Sequence, residues 1–261
     1  MQRRAGRLPY DLAVGHERLG FALRHLYVYP RLRLAYTYIP KNACSSLKRT
    51  FGRAQGWLSV DSPSAHEMHR AWWLSGLVRY PGVDERIVVV RDPFDRVLSA
   101  YLNKFLLARD SIAEQAIATG LGESLGPGAT RQDVTFADFV GYLSRTPSHH
   151  LDEHWRPQRD FLLGSYTRLL RFEHLDQDTA FLAQRGLVVE RARGHSTTRL
   201  QSDAGPGWGR RTAGDLANLR HNRGLLPSRE NMYDDELHAK VRERFAEDVE
   251  LVVRAARSDG R

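Results

Sequence analysis

The sequence predicts an α/β fold in which a parallel β-sheet is flanked by helices on both faces. Segment 33–39 is rich in aromatic and β-branched residues and segment 86–90 is almost entirely apolar; both are typical strands, and each precedes a segment with helical spacing. The second contains the apolar run 87–90, Ile-Val-Val-Val, which is typical of a strand buried on both faces. A third strand, over 168–172, is also followed by a helix. Strands that alternate with helices favour a parallel sheet.

The elements are assigned in chain order from the same signals. Residues 1–30 predict a polar lead-in with short helical pieces, and the strand over 33–39 ends at Pro40. A helix over 45–51 follows, and another is predicted over 65–78.

The clearest helix begins directly after the second strand. Asp92 is a typical helix cap, and Pro93 suits the first helical position. Ser99 lies on a polar stripe of this helix. Its apolar residues recur at the i, i+3, i+4, i+7 spacing of an amphipathic helix: Phe94, Val97, Leu98, Tyr101, Leu102, Phe105 and Leu106.

The rest of the chain is more irregular, and we expect residues 1–261 to form a single domain. The predicted elements are a flexible loop over 120–128, a helix over 135–145 opened by the capping-box-like pair Thr135 and Asp138, the strand over 168–172, a helix over 175–184, an irregular segment over 194–209 and an amphipathic, interrupted helix over 232–257.

Composition and charge exclude only some of the possible functions. Hydrophobic residues make up 41% of the 261 residues and charged residues 27%, as in a globular protein with a core. The net charge is +8, and only four of the 39 basic residues are lysine. Codon bias explains an arginine excess as well as an anionic partner does, whether nucleotide, acidic sugar or nucleic acid.

Several classes of protein do not fit the sequence. Its one cysteine, Cys44, excludes an intramolecular disulfide and a cysteine-cluster zinc site. No apolar run is longer than that of Ile87 to Val90, which is far too short to span a bilayer. Residues 1–25 lack the continuous apolar stretch of a signal peptide, so we expect a cytoplasmic protein.

The segment 38–48, YIPKNACSSLK, predicts an anion site where a strand passes into a helix. Such a turn aims free backbone N–H groups at one spot, and the helix dipole favours negative charge there. Lys41 adds a full charge, and Ser45 and Ser46 add donors. The G-x-x-x-x-G-K-[ST] pattern of nucleoside triphosphatases is absent, and an ordinary turn with a solvated lysine is the alternative.

The segment 87–101, IVVVRDPFDRVLSAY, predicts a second anion site of the same construction. The buried strand delivers Arg91 to the start of a capped helix, and Ser99 follows two helical turns later. An arginine fork with a hydroxyl suits a phosphate dianion. The alternative is a structural Arg91 paired with Asp92 or Asp95. Ligands of open parallel sheets sit at the carboxyl ends of the strands, so two such sites suit a ligand with two phosphates.

These two segments, in this order, resemble the binding motifs for 3'-phosphoadenosine 5'-phosphosulfate (PAPS) of the Golgi-type carbohydrate sulfotransferases. That family includes the HNK-1, chondroitin 4-O- and dermatan sulfotransferases and the more distant uronosyl 2-O-sulfotransferases. LDEHWRPQ (151–158) and RLLRFEHLDQD (168–178) are similar to further stretches of it. The chain lacks the membrane anchor and lumenal cysteines of the Golgi members, which implies a soluble, bacterial relative.

The resemblance implies a P-loop-like α/β fold and a PAPS-dependent O-sulfotransferase whose acceptor is a hydroxyl group of a carbohydrate. PAP would be the other product, and neither metal nor nucleic acid would be bound. Arg91 and Ser99 would hold the 3'-phosphate. The 5'-phosphosulfate would be held by the loop residues Lys41, Asn42, Ala43, Cys44, Ser45 and Ser46.

Catalysis needs a cation for the leaving group and a base for the acceptor hydroxyl. Lys41 is the predicted cation; Lys48 is a weaker candidate, which we expect to be a solvated helix lysine. The uronosyl 2-O-sulfotransferases carry their base histidine before the Arg-Asp-Pro motif, where this chain has His66 and His69. We favour His69 as the base and place His66 on the acceptor side; His66, or a residue elsewhere in the chain, as the base stays open.

His154 and Trp155 are predicted to line the acceptor site, with the tryptophan as a core residue in the alternative interpretation.

Two other functions fit parts of the sequence. A non-enzymatic polyanion or nucleic-acid binder would need basic stripes with exposed aromatics, whereas here arginines are scattered among acids. A nucleotide kinase with a degenerate P-loop would need a magnesium-binding hydroxyl after Lys41, where Asn42 stands.

Overall fold

The structure, a computed structural model, describes four ranges of the chain: 17–58, 82–107, 110–189 and 207–257. The chain divides into two compact units. The first unit takes in residues 1–91, 156–192 and 250–261, and the second takes in 92–155 and 193–249.

The first unit is built on a four-stranded sheet in the order β1-β2-β3-β4. The strands are β1 (Leu26–Tyr29), β2 (Leu34–Thr37), β3 (Glu85–Val90) and β4 (Arg168–Arg171). β2, β3 and β4 are parallel, as predicted, while β1 is antiparallel to β2.

β1 departs from the predicted polar lead-in. A tight 3₁₀ turn, Pro30–Leu32, joins it to β2, and Arg33 closes the turn in the left-handed region at φ 48°. Val28 then lies opposite Ala35 in the antiparallel ladder. Pairing with β2 makes residues 26–29 a strand, because four residues are too few to carry a clear periodic signal of their own.

Helices surround this sheet and make up most of the second unit. In chain order they are α1 (17–24), α2 (Cys44–Gln55), α3 (Pro93–Tyr101), α4 (Ile112–Ala118), α5 (Phe136–Arg145), α6 (Leu175–Asp178), α7 (Ala180–Ala183), α8 (Ala213–Arg223), α9 (Arg229–Met232), α10 (Asp235–Arg244) and α11 (Ala246–Arg257).

The predicted caps are confirmed. Asp92 Oδ1 accepts hydrogen bonds from the backbone N–H groups of Phe94 (2.8 Å) and Asp95 (3.3 Å) at the start of α3. Thr135 and Asp138 form the complete capping box of α5. These local signals are set by neighbouring residues, so the sequence shows them directly.

Several helix boundaries differ from the prediction. The long helix expected after Pro93 is α-helical only over Pro93–Tyr101 and is π-helical over Leu102–Leu107. The helix expected over 175–184 is split at Thr179 into α6 and α7. α8 lies in a segment for which no element was predicted, whereas the predicted interruption of the closing helix is present, at Phe245.

β3 is buried on both faces, as its apolar run predicts. On one face Ile87 and Val89 join a cluster that includes Leu47 and Phe51 of α2. On the other face Val88 and Val90 pack in a cluster that includes Phe21 of α1 and Leu251 and Ala255 of α11. The sheet therefore has helices on both faces, and the predicted α/β class is confirmed.

The second unit has a core of its own. It is rich in aromatic side chains, including Tyr101, Phe105, Phe136 and Phe139, with Trp155 packed among them. In the four described ranges, no helix is long and apolar enough to cross a bilayer.

Candidate functional site

The loop between β2 and α2 has a backbone that ordinary residues avoid. Lys41 and Ala43 both lie in the left-handed region, at φ 71° and 56°. Each such residue costs about 1–2 kcal/mol relative to a right-handed conformation, so contacts outside the loop must hold it. Asn42, between them, is fully buried and supplies those contacts.

The Asn42 side chain ties the loop to the sheet. Its Nδ2 donates a hydrogen bond of 2.8 Å to the backbone oxygen of Val89 and one of 2.6 Å to Gln158 Oε1. The loop is thereby anchored beside the end of β3, with Lys41 on one side of the anchor and the start of α2 on the other.

The start of α2 has the geometry of an anion site. Its N-cap is Ala43, whose methyl group cannot accept a hydrogen bond from the first-turn amides. The intrahelical ladder begins only with Leu47 N–H donating to the Ala43 oxygen. The N–H groups of Cys44, Ser45 and Ser46 precede that bond, so they and the helix dipole favour a bound anion.

Arg91 lies against this loop. Its Nη1 donates a hydrogen bond of 2.8 Å to the backbone oxygen of Lys41. Its guanidinium carbon lies 4.1 Å from the centre of the Phe172 ring, within cation–π range. The residues that follow β2 and β3, Lys41 and Arg91, are therefore in contact through the Lys41 backbone, as the sheet topology predicts.

Gln158 is the residue that sequence reasoning missed. It is completely buried, and its amide bonds both the Asn42 side chain and the backbone of Arg91. It ends the segment LDEHWRPQ, in which only His154 and Trp155 were singled out. The available signal was its polar amide directly after Pro157, between two aromatic residues, Trp155 and Phe161.

A cavity of about 350 Å³ opens beside the loop. One wall is Ser46, and another is the turn that follows β4. Its lining residues are Ser46, Phe172, Glu173, His174, Leu175, Asp176, Gln177 and Val189.

An ion pair fixes the turn that carries this cavity. Asp178 accepts hydrogen bonds from the Arg171 backbone N–H at 2.6 Å and from its Nη2 at 2.7 Å. Burial alone raises the pKa of the Asp178 carboxyl, but the hydrogen bonds and charge of Arg171 outweigh burial. The pKa is therefore below its ordinary value, and the carboxylate is charged at neutral pH.

The expectation that Lys48 is solvated is wrong. Lys48 is only 3% exposed, and its Nζ lies 3.4 Å from the centre of the Tyr38 ring and 5.5 Å from that of Tyr27. It occupies the face of α2 that also buries Leu47 and Phe51. Aromatic faces stabilise the cation there in place of water.

The remaining predicted residues fall in different parts of the chain. Ser99 lies on α3 in the second unit, half-buried. In that unit, Arg229 pairs with Asp92 at 3.3 Å and with Asp95 at 3.8 Å. His66 and His69 lie outside the residues that the structure describes.

His154 is oriented by a carboxylate. Its Nδ1 lies 2.6 Å from Asp152 Oδ1, and its backbone N–H donates to the same oxygen at 2.9 Å. An Nδ1–H held by a carboxylate leaves Nε2 as the proton acceptor of a neutral ring. The ring is half-buried, so it is accessible to a small polar group.

Trp155 is a core residue by position. It is 1% exposed and packs edge-on against Phe139, with ring centres 5.3 Å apart.

Among the described residues, no group of three or more His, Cys, Asp or Glu side chains is arranged to hold a metal ion.

Comparison with known proteins bears on this arrangement. A family described as "Sulfotransferase family" matches residues 24–251. Carbohydrate sulfotransferase 14 of Mus musculus is 36% identical over 180 residues, which cover 62% of this chain and 47% of that protein. Carbohydrate sulfotransferase 11 of Mus musculus is 28% identical over 185 residues, covering 62% and 53%. This chain thus spans about half the length of the curated relatives it matches. No solved structure matches it significantly.

Proposed function

Since this chain belongs to the sulfotransferase family, we propose that it transfers a sulfuryl group from PAPS to a hydroxyl group of a carbohydrate. The observation that carries the proposal is the contact of Arg91 Nη1 with the backbone oxygen of Lys41, 2.8 Å away. It unites two cationic segments beside a helix N-terminus, which suits a donor with two phosphates. The matched carbohydrate sulfotransferases support the class of acceptor.

The α2 end of the loop would bind the 5'-phosphosulfate. The first-turn amides, with Ser45 and Ser46, would supply donors, and Lys41, two residues before the N-cap, would supply a charge. In the reaction, the acceptor oxygen forms a bond to sulfur while the bond from sulfur to the 5'-phosphate oxygen breaks. Lys41 would then stabilise the negative charge that grows on the departing phosphate.

The other parts of the donor have candidate partners as well. Arg91, with Ser99 of α3, would bind the 3'-phosphate through charge-assisted hydrogen bonds. The cavity of about 350 Å³ beside Ser46 would take the nucleoside. Phe172 offers a ring for stacking, and Glu173 offers acceptors for an exocyclic amine.

A base must take the hydroxyl proton of the acceptor. We assign it to His69, with His66 on the acceptor side. His154 is the described histidine best oriented for such a role, because Asp152 holds its Nδ1. His154 is therefore assigned to the acceptor side, and its variant is compared with that of His69.

The surroundings of Asn42 argue against a nucleotide kinase. A kinase of the P-loop class needs a hydroxyl after the loop lysine to bind magnesium. Here that position is an asparagine whose amide is engaged with Val89 and Gln158. The loop thus uses this position for its own structure.

Two experiments test the proposed function. Thermal unfolding with PAP, with ATP and Mg²⁺, or with a nucleic acid should show stabilisation by PAP, since a ligand at about a hundred times its Kd adds about 2.7 kcal/mol. Incubation with PAPS and a panel of glycans and small hydroxylated metabolites should give sulfated sugars in mass spectra. Stabilisation by Mg-ATP alone, or by polyanions alone, would contradict the proposal.

A further inference from the structure

Gln158 joins the two halves of the proposed donor site. Its Oε1 accepts hydrogen bonds from the Arg91 backbone N–H (3.0 Å) and from Asn42 Nδ2 (2.6 Å). Its Nε2 donates a hydrogen bond of 2.8 Å to the Arg91 backbone oxygen. One buried side chain thus connects the end of β3 with the loop that contains Lys41.

The orientation of this amide is fixed by its partners. The backbone N–H of Arg91 can only donate and its carbonyl can only accept, so Oε1 and Nε2 of Gln158 cannot be exchanged. The carbonyl of Val89 fixes the Asn42 amide in the same way. Only an uncharged group with one acceptor and one donor satisfies position 158.

These bonds bear on both cations of the site. Asn42 lies between two left-handed residues, Lys41 and Ala43, so loss of its bond to Gln158 weakens its hold on a strained loop even though its bond to the Val89 oxygen remains. Release of the Arg91 backbone at the same time shifts the guanidinium that bonds the Lys41 oxygen. Burial makes the effect large, since an unmatched polar group in the interior is unfavourable.

We infer that Gln158 is a positioning residue for donor binding, which acts through Asn42 and the Arg91 backbone to hold Lys41 and Arg91 in one anion site. The inference rests on the proposed function. The affinity for PAP then depends on a side chain that contacts other protein groups and does not contact the ligand itself.

The variant Gln158→Glu tests this with almost no change of shape. As a carboxylate it places a second oxygen against the Arg91 carbonyl, and burial raises the pKa of such a group. As a neutral acid its O–H donates where Nε2 did, and the native pattern returns. The Kd for PAP, relative to wild type at the same pH, should rise about tenfold from about pH 5.5 to about pH 9.

Gln158→Met complements this variant because it removes all of the hydrogen bonds at similar volume. Its Kd for PAP should be about tenfold above that of wild type at every pH. Tyr166→Phe is the matched control in the same unit. It removes the hydrogen bonds of the Tyr166 hydroxyl with Thr37 Oγ1 (2.8 Å) and Leu163 N–H (3.0 Å) but leaves the loop contacts in place.

PAP is titrated into each protein by calorimetry, below the unfolding temperature of every variant. Weaker binding by Gln158→Met, and pH-dependent weakening by Gln158→Glu with Tyr166→Phe unaffected, support the inference. Wild-type affinity in Gln158→Met, or equal weakening in Tyr166→Phe, overturns it and leaves the proposed function intact. A wild-type protein that binds no PAP overturns the proposed function and this inference with it.

Discussion

The ammonium group of Lys48 lies 3.4 Å from the centre of the Tyr38 ring, in the interior of the first unit. This cation–π contact joins α2 to the residue that follows β2, just before the Lys41 loop. A desolvated contact of this kind is worth about 2 kcal/mol. The position of the loop therefore depends in part on a pairing between a helix and the end of a strand.

Loss of the Tyr38 ring should destabilise the protein. We expect Tyr38→Leu to lower the free energy of unfolding by about 2 kcal/mol, because the buried Lys48 cation loses its main π face. Tyr38→Phe keeps the ring and should retain most of that stability. Urea unfolding measures both; equal stability of the Leu and Phe variants would show that the contact contributes nothing.

Lys41 should matter more for turnover than for donor affinity. Lys41→Ala removes a charge that the proposed mechanism needs most in the transition state, so kcat should fall further than PAPS binding does. Lys240→Ala is the matched control, since Lys240 is an exposed lysine paired with Glu236 at 2.6 Å. Steady-state kinetics and PAPS titrations decide the point, and equal losses in both would make Lys41 a binding residue only.

Arg91 and Ser99 should select ligands that carry a 3'-phosphate. Charge-assisted hydrogen bonds to a desolvated phosphate contribute about 1.5–3 kcal/mol, so Arg91→Ala should weaken PAP binding about 10- to 150-fold. Binding of AMP, which lacks that phosphate, should change little. Ser99→Ala should show the same selectivity with a smaller loss.

The Arg91 result has a structural control. Arg91 Nη1 also bonds the Lys41 oxygen, so Arg91→Ala is compared with Arg91→Lys, which keeps a charge but loses the planar fork. Parallel losses for PAP and AMP in these variants would mean that Arg91 only supports the loop.

The base assignment predicts a loss of turnover without a loss of donor binding. His69→Ala should lower kcat by about 10²- to 10⁴-fold while PAP binding persists. His66→Ala and His154→Ala should have much smaller effects on kcat. A fully active His69→Ala enzyme would exclude His69, and a collapse in His154→Ala would move the base to the Asp152–His154 pair.

The Asp178–Arg171 pair should make the stability of the protein depend on pH. The pKa of Asp178 is lower in the folded than in the unfolded protein, so the pair stabilises fully above the unfolded value of about 4. That contribution is lost as the pH falls through the folded pKa. Asp178→Asn should thus be less stable than wild type near pH 7, and the difference should shrink in acid.

Urea unfolding at several pH values measures this difference. Glu243→Gln, at an exposed position of α10, controls for the loss of one negative charge. A gap between wild type and Asp178→Asn that stays constant down to about pH 2 would exclude the ion pair as its source.

Much of the fold could be predicted from local signals in the sequence. The apolar run of β3, the Asp92 cap and the Thr135–Asp138 capping box each depend on residues a few positions apart, and all three are confirmed. β1 was missed because its four residues become a strand only through pairing with β2. Lys48 was misjudged because helical position alone does not show that two tyrosine rings cover its ammonium group.

Which charged residues meet in the candidate site could be predicted from the sequence alone. Lys41 and Arg91 each follow a predicted parallel strand, and strand ends of such a sheet share one edge, so their proximity could be anticipated. What the tertiary structure decided is how they are held. Gln158 stands 67 residues beyond Arg91 in the chain, and its contacts with Asn42 and Arg91 exist only because the fold brings these distant segments together. Hydrogen bonds between such distant residues leave no periodic trace in the sequence, because they depend on where the folded chain places them.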